Sequence, residues 1–487
     1  MTDRIEPFTI GVDGAALDDL RDRLRRTRWP ERETVGDWSQ GVPLGYLQDL
    51  CGYWASRYDW RATEARINQI PQFITTIDDL QLHFLHLRSP HPDAIPVIMT
   101  HGWPGSFFEF ERVLGPLADP PAHGGDAADA FDVVVPSLPG YGFSGKPAAT
   151  GWDIHRIARA WAELMARLGY ERFLAVGSDW GTSVSTSLAL HQPGQLLGIH
   201  LIPPLAPPDR NAADLTERER AALADLDERS RTGSGYSAEQ STRPQTIGYS
   251  LTDSPAGLCA WIVEKLWAWT DHRGDLSQVL TADQVLDNIS LYWLAGSGAS
   301  SARLYWESIA EVTEWFTTAT DDVVTVPAGC SIFPKEAPRP SRRWAQRRFA
   351  NIVHWSEPDR GGHFAAWEQP GLFIDEVRAV ARAATAQAGA RYHPQRPASG
   401  TGRRDLIKNT RFCAAALRRI KWPGQRQIGG SRTQAADVPP NRDCRALGPL
   451  SSTSGAAQVA VGRKRSADQV PSMETCRTGW MPWEARA

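Results

Sequence analysis

Cysteine chemistry and long apolar runs are what this chain lacks. Its 487 residues include six cysteines, at 51, 259, 330, 413, 444 and 476, with no CxxC pair among them. That spacing excludes a disulfide framework and a zinc site of the usual kind. Cys51, Cys259 and Cys330 lie in apolar surroundings and read as small core residues. Nowhere do 18 apolar residues run together, so no membrane-spanning helix is expected, and Met1-Thr2-Asp3-Arg4 leads into no apolar signal run. A cytoplasmic protein is therefore expected, in which the sequon Asn288-Ile289-Ser290 goes unused. No internal repeat is visible. A net charge of −3 gives no reason to expect a nucleic-acid partner. No ligand cluster and no Gly-rich phosphate loop calls for a metal, nucleotide or redox cofactor.

Charge is unevenly placed. From Arg391 to Ala487 there are 18 Lys/Arg against 6 Asp/Glu, so a basic tail of +12 follows a body of −15. Pro, Gly, Ser, Arg and Gln dominate this tail, which reads either as a disordered segment or as sequence without an evolved fold, such as a reading-frame change would give. The body, with 41% hydrophobic residues over the whole chain, is long enough for a sizeable core.

Apolar periodicity organises that body. Leu17, Leu20 and Leu24 predict a short helix, stopped by Trp29-Pro30, and Tyr46, Leu47, Leu50 and Trp54 predict a second. Leu80, Leu82 and Phe84 alternate as in a half-buried strand, and the pattern then slips, predicting a bulge or the strand's end near Phe84-Leu85. Short apolar runs at 95–100, 131–136, 173–176 and 196–202 predict central strands, with a helix through Trp161, Leu164, Met165 and Leu168. Strands alternating with helices argue for a mostly parallel sheet covered on both faces. The alternation breaks near Pro203, and helical patterns at 212–230, 257–269 and 281–293 read as an inserted cap. The sheet is expected to resume at Val323–Pro327, at Cys330–Phe333 and at Phe349–His354, before a closing helix over Phe373–Ala384. The expected organisation is a wrapping segment (1–90), a core in two parts (91–205 and 321–390), a helical cap (206–320) and the tail (391–487).

The most specific motif is Gly177-Ser178-Asp179-Trp180-Gly181, after the strand-like Phe173-Leu174-Ala175-Val176. A small-x-nucleophile-x-small pentapeptide at a strand-to-helix junction is the nucleophile elbow of an α/β-hydrolase. Here Asp takes the place of Ser. A serine would form an acyl-enzyme; a carboxylate forms an alkyl ester and suits a saturated carbon with a leaving group, as in epoxides and alkyl halides. A lone Asp after a strand is commonly a helix cap, but the flanking glycines argue for the nucleophile. His363, in Gly361-Gly362-His363-Phe364, stands late in the chain, where a base belongs. Glu336, in Phe333-Pro334-Lys335-Glu336, follows a strand and can orient that base, with Glu357 and Asp359 as rivals by proximity in sequence. The turn His101-Gly102-Trp103-Pro104-Gly105 offers the N–H of Trp103 which, with that of Trp180, forms a candidate oxyanion hole; Pro104 sharpens the turn and admits a cis bond. Opening an epoxide needs an acid, and Tyr236, Tyr249, Tyr292 and Tyr305 are candidates that spacing does not rank.

Together these pieces resemble the microsomal-type epoxide hydrolases and their soluble bacterial and fungal relatives. Further matching stretches are Pro136-Ser137-Leu138-Pro139-Gly140-Tyr141-Gly142-Phe143-Ser144, Ser241-Thr242-Arg243-Pro244-Gln245-Thr246, Asp253-Ser254-Pro255-Ala256-Gly257-Leu258 and Tyr292-Trp293, so the likeness spans roughly residues 5 to 385. The resemblance implies an α/β-hydrolase fold with a cap and a wrapping N-terminal segment. It selects Tyr236 and Tyr305 as the ring-opening pair and supports Glu336 as the acid behind His363. It implies conversion of an apolar epoxide and water to a diol, in detoxification or aromatic-hydrocarbon catabolism, with a homodimer open. No counterpart of the membrane-bound relatives' anchor helix is expected here. Two rivals share parts of the pattern. A haloalkane dehalogenase uses an Asp and a His but holds halide with N–H donors, against which the two tyrosines weigh. A catalytically inactive binding protein would keep the pocket and lose the triad, whereas all three residues are present.

Overall fold

The computed structural model describes residues 4–318 and 321–387. The short apolar runs are central strands because they have no polar face to expose: Phe131–Pro136 (β5), Phe173–Ser178 (β6) and Leu196–Ile202 (β7) are buried at every position. With Glu6–Phe8 (β1), Gln72–Ile77 (β2), Leu80–Leu87 (β3), Ile95–Thr100 (β4), Ala328–Ser331 (β8) and Ile352–Ser356 (β9), they form a sheet in the order β1-β2-β3-β5-β4-β6-β7-β8-β9. Pairing is antiparallel from β1 through β3 to β5 and parallel from β5 onward. This mixed, mostly parallel sheet with flanking helices is the α/β-hydrolase architecture that the sequence predicts. It sends the loops after β4, β6, β8 and β9 to one edge, the carboxyl ends of the strands, where such sheets carry their sites.

Three strand expectations need correction. Neither a bulge nor a strand end falls near Phe84: β3 continues to Leu87, and its register with β2 runs unbroken from Leu80 to Leu85. The alternation stops there because both faces become covered, and His83 and His86 are buried as well. The run Val323–Pro327 is not a strand. Val324 forms a single bridge to Phe349, and the ladder begins at Ala328, just after Pro327, which has no N–H to donate. The last strand likewise lies at Ile352–Ser356 rather than starting at Phe349. The closing helix runs Pro370–Gln387. The basic tail expected over 391–487 lies outside the described residues.

Among the described residues six α-helices stand between β7 and β8: Glu217–Thr232, Gly235–Thr242, Pro244–Asp253, Pro255–Trp269, Ala282–Leu294 and Gly298–Thr317. The first starts later than its pattern suggests, because Thr216 and Glu219 form a reciprocal capping box that fixes its origin. The N-terminal segment fastens onto this helical layer. Trp38 stacks on Trp267 with ring centroids 4.0 Å apart. The Tyr53 hydroxyl donates to Asp283 at 2.8 Å, and the Trp54 indole N–H to Ser290 Oγ at 2.9 Å. At the centre of the contact, Asp287 accepts from the Tyr58 and Thr63 hydroxyls (2.8 and 2.6 Å) and from the Arg66 guanidinium (2.6 Å), which also holds Glu111.

Asp287 is buried while Arg66 is partly exposed, so removing the carboxylate takes an acceptor from two hydroxyls and leaves the half-screened cation with Glu111 alone. Asp287→Ala is expected to lower unfolding stability by about 2–3 kcal/mol, less than for a fully buried pair because solvent screens Arg66. A urea midpoint unchanged from the parent would refute this.

Candidate active site

β6 ends at Ser178 and the helix Trp180–His191 begins two residues later, leaving Asp179 alone to reverse the chain. It does so with φ +52° and ψ −123°, a conformation L residues rarely adopt. The flanking glycines make the approach possible. A β-carbon at Gly177 would stand 2.0 Å from the Gly181 carbonyl oxygen, and one at Gly181 would stand 1.9 Å from that of Thr100. The pentapeptide is therefore a steric requirement of this junction, as in a nucleophile elbow.

The loop after β4 meets the Asp179 carboxylate. Trp103 N–H donates to Oδ1 at 2.8 Å, and a β-carbon on Gly102 would fall 2.1 Å from that oxygen. The Trp103–Pro104 peptide is cis. His101 is buried and held neutral, its pKa lowered to about 4 by burial. Its Nε2 accepts from Leu138 N–H, so the Nδ1 proton points to the Gly102 carbonyl at 2.9 Å and fixes the turn. From the other side Asn288 Nδ2 donates to Pro104 O and Tyr292 OH to Gly105 O, at 2.7 and 2.8 Å. The residue that heads the sequon is thus fully buried. The N–H of Trp180, the second expected donor, makes no hydrogen bond to Asp179 among the described residues; the Trp180 ring instead packs edge-on against Tyr305.

His363 comes from the loop after β9, and its backbone N–H is tied to Trp269 O at 2.9 Å. Its Nδ1 lies 2.9 and 3.0 Å from the two Glu336 oxygens, and its Nε2 lies 3.5 Å from Asp179 Oδ2. Burial opposes charge on this ring, but Glu336 and then Asp179 overcome it, and the pKa lies well above 6.5. Glu336 sits buried after β8, as expected. Its rivals lie elsewhere: Glu357 pairs with Arg218 and Asp359 with Arg360.

Tyr236 and Tyr305 come together across the site with ring centroids 5.7 Å apart. Both hydroxyls are held above their usual pKa of 10, by burial first and with the Asp179 charge adding to it, so both are neutral O–H donors near pH 7. Of the other tyrosines, Tyr249 is exposed and Tyr292 is committed to the loop. Indoles complete the walls: Trp103 stacks on Tyr236 at 5.0 Å, and Trp269 lies 5.3 Å from Tyr236 and 4.8 Å from His363. Sequence reasoning missed three supports. Lys265, buried, lies 4.6 Å above the Tyr236 ring. Glu368 accepts from Asp271 and Phe364 N–H and so anchors the His363 loop. Trp269 had no signal beyond being one of 20 tryptophans. Among the described residues no group of three or more His, Cys, Asp or Glu is arranged to hold a metal ion, and no helix is long and apolar enough to cross a membrane.

Because Glu336 is the strongest influence raising the His363 pKa, Glu336→Gln should lower it. Imidazole NMR titration checks the direction, and an unchanged or higher pKa would contradict the assignment.

The chain matches the family description "Epoxide hydrolase N terminus" over residues 5–110 and "alpha/beta hydrolase fold" over 95–245. It is 53% identical over 375 residues to the "Putative epoxide hydrolase" of Stigmatella aurantiaca, covering 77% of this chain and 84% of that one. With "Epoxide hydrolase 1" of Sus scrofa it shares 33% over 402 residues, covering 77% and 88%. The solved structure of Aspergillus niger epoxide hydrolase superposes with a TM-score of 0.70 at 32% identity, over 78% of this chain and 96% of that one. Sheet, elbow and these likenesses agree, and the chain belongs to the epoxide hydrolase family of enzymes within the α/β-hydrolase superfamily.

Proposed function

We propose that this chain hydrolyses an apolar epoxide to a vicinal diol through a covalent ester on Asp179. The observation that carries the reading is one carboxylate bound at Oδ1 by the Trp103 N–H and faced at Oδ2 by His363, with a charge that reaches two paired, neutral tyrosines and helps raise their pKa. Tyr236 and Tyr305 hydrogen-bond the epoxide oxygen. Asp179 Oδ2 attacks a ring carbon, the C–O bond breaks, and the departing oxygen takes a tyrosine proton. The His363 imidazolium returns that proton to the phenolate. Alkylation has by then neutralised Asp179, one of the two charges that raised the His363 pKa, so the ring is freed to act as a base. Water gives one proton to Nε2 and its oxygen to Asp179 Cγ. The oxyanion forms at Oδ1 against Trp103 N–H. On collapse the diol oxygen leaves with the proton of the new carboxylic acid, restoring the Asp179 carboxylate and the His363 imidazolium.

The aromatic walls favour an apolar substrate. The second donor expected of the hole, Trp180 N–H, is assigned here only to the tetrahedral stage. A cytoplasmic site of action, a detoxifying or aromatic-catabolic role and a homodimer belong to the same reading.

In His363→Gln, a single turnover with styrene oxide should leave a stable adduct of the epoxide's mass on Asp179, found by intact mass and peptide mapping. A folded variant without adduct, from a parent that hydrolyses the epoxide, would refute the ester route. The double variant Tyr236→Phe/Tyr305→Phe should alkylate about 10²–10⁴-fold more slowly, the usual worth of acid catalysis. An unchanged alkylation rate would remove the tyrosines from ring opening.

A further inference from the structure

Glu109 is a buried acid that the steps above do not use. It lies in the single turn Phe107–Phe110, just beyond the loop that binds Asp179, and is almost fully buried. Its side chain folds back over that loop. Oε1 stands 1.5 Å from where a β-carbon of residue 105 would be, as Asp179 Oδ1 stands 2.1 Å from the β-carbon position of residue 102. One five-residue turn thus leaves two side-chain positions empty, and a carboxylate from outside the turn fills each.

The other buried acids near the site have obvious partners: Glu336 has His363, Glu111 has Arg66, and Glu368 has two backbone N–H groups. Glu109 forms no ion pair among the described residues; its carboxyl faces the Ser106 backbone N–H and no side-chain donor. The charged groups around it are His363, Asp179 and Glu368. A carboxyl has more acceptor sites than one backbone N–H fills, so one buried near the reacting groups is suited to a ligand that carries hydrogen-bond donors.

We propose that Glu109 is a positioning residue for the water that hydrolyses the Asp179 ester. The role rests on the ester route above. The water donates one O–H to His363 Nε2 and the other to a Glu109 carboxyl oxygen, which aims a lone pair at Asp179 Cγ. Glu109 makes and breaks no covalent bond. Burial, reinforced by the Asp179 charge and opposed by the His363 cation, raises its pKa to about 8, so near neutral pH it is mainly a neutral acid that still offers its carbonyl oxygen as acceptor.

The test measures alkylation and ester hydrolysis separately, in single-turnover reactions of the full chain with styrene oxide. Glu109→Met fills the space without an acceptor. Its ester should form within about threefold of the parent rate and decay at least about tenfold more slowly, the scale of a lost orienting contact. Glu109→Gln keeps an acceptor oxygen and should restore most of the lost hydrolysis. Gly105→Ala, whose β-carbon drives the carboxyl from its place, should show the same split as Glu109→Met and replaces it if that variant does not fold. An unchanged decay rate, or equal slowing of both steps, would reduce Glu109 to a brace for the loop and overturn the role. If His363→Gln traps no ester at all, the ester route itself fails, and that outcome is distinct from an ester that forms and decays normally in Glu109→Met.

Discussion

Asp179 is held where backbone sterics resist it, and the surroundings are organised around that constraint. A non-glycine residue at positive φ costs on the order of 1–3 kcal/mol and persists only when neighbours leave it no alternative. Here β6 is locked between β4 and β7, and the following helix is buried along most of its length. Neither can move to relax the turn. The Trp103 N–H then fixes the carboxylate within it. Every later element, whether loop, base or tyrosine pair, is aimed at a group whose position was decided by the sheet.

The helix Ala282–Leu294 extends this rigidity outward. One stretch of it, from Asp287 to Tyr292, serves two masters. Asp287 and Ser290 bind the N-terminal segment, while Asn288 and Tyr292 hold the carbonyls of the turn that meets Asp179. Positions that differ by one residue point to different sides of a helix, so neighbouring residues can fasten two structures at once. The polar groups are buried and satisfied, an arrangement that tolerates little slack.

Legibility in the sequence followed locality. The elbow and the His101–Gly105 turn could be read because their function is written in adjacent residues with a steric reason for each glycine. The Asp, Glu, His order placed the remaining triad groups by chain logic, and the structure brings those three side chains together. The tyrosines were different: four had equal local claims, and family resemblance, not spacing, chose between them. Pattern reading failed where tertiary cover overrode it. The change of period at Phe84 marks a second face becoming buried, not a bulge, and the apolar run before Ala328 contains a proline that delays the ladder. Glu109 left no signal at all. Set among three phenylalanines, it looks like a surface acid on a helix, and only the empty position at Gly105 shows where its side chain goes.

The Trp38–Trp267 stack has a wider consequence. Trp267 stands two residues before Trp269, whose ring touches both Tyr236 and His363 and whose carbonyl holds the His363 backbone. A face-to-face contact on the far side of that helix therefore fixes the depth at which the indole enters the site. The breadth of the space above Asp179 is set in part by residues that never touch it. Selectivity can then drift through substitutions in the N-terminal segment, as a lens is refocused by turning its mount, while the reacting groups stay unaltered.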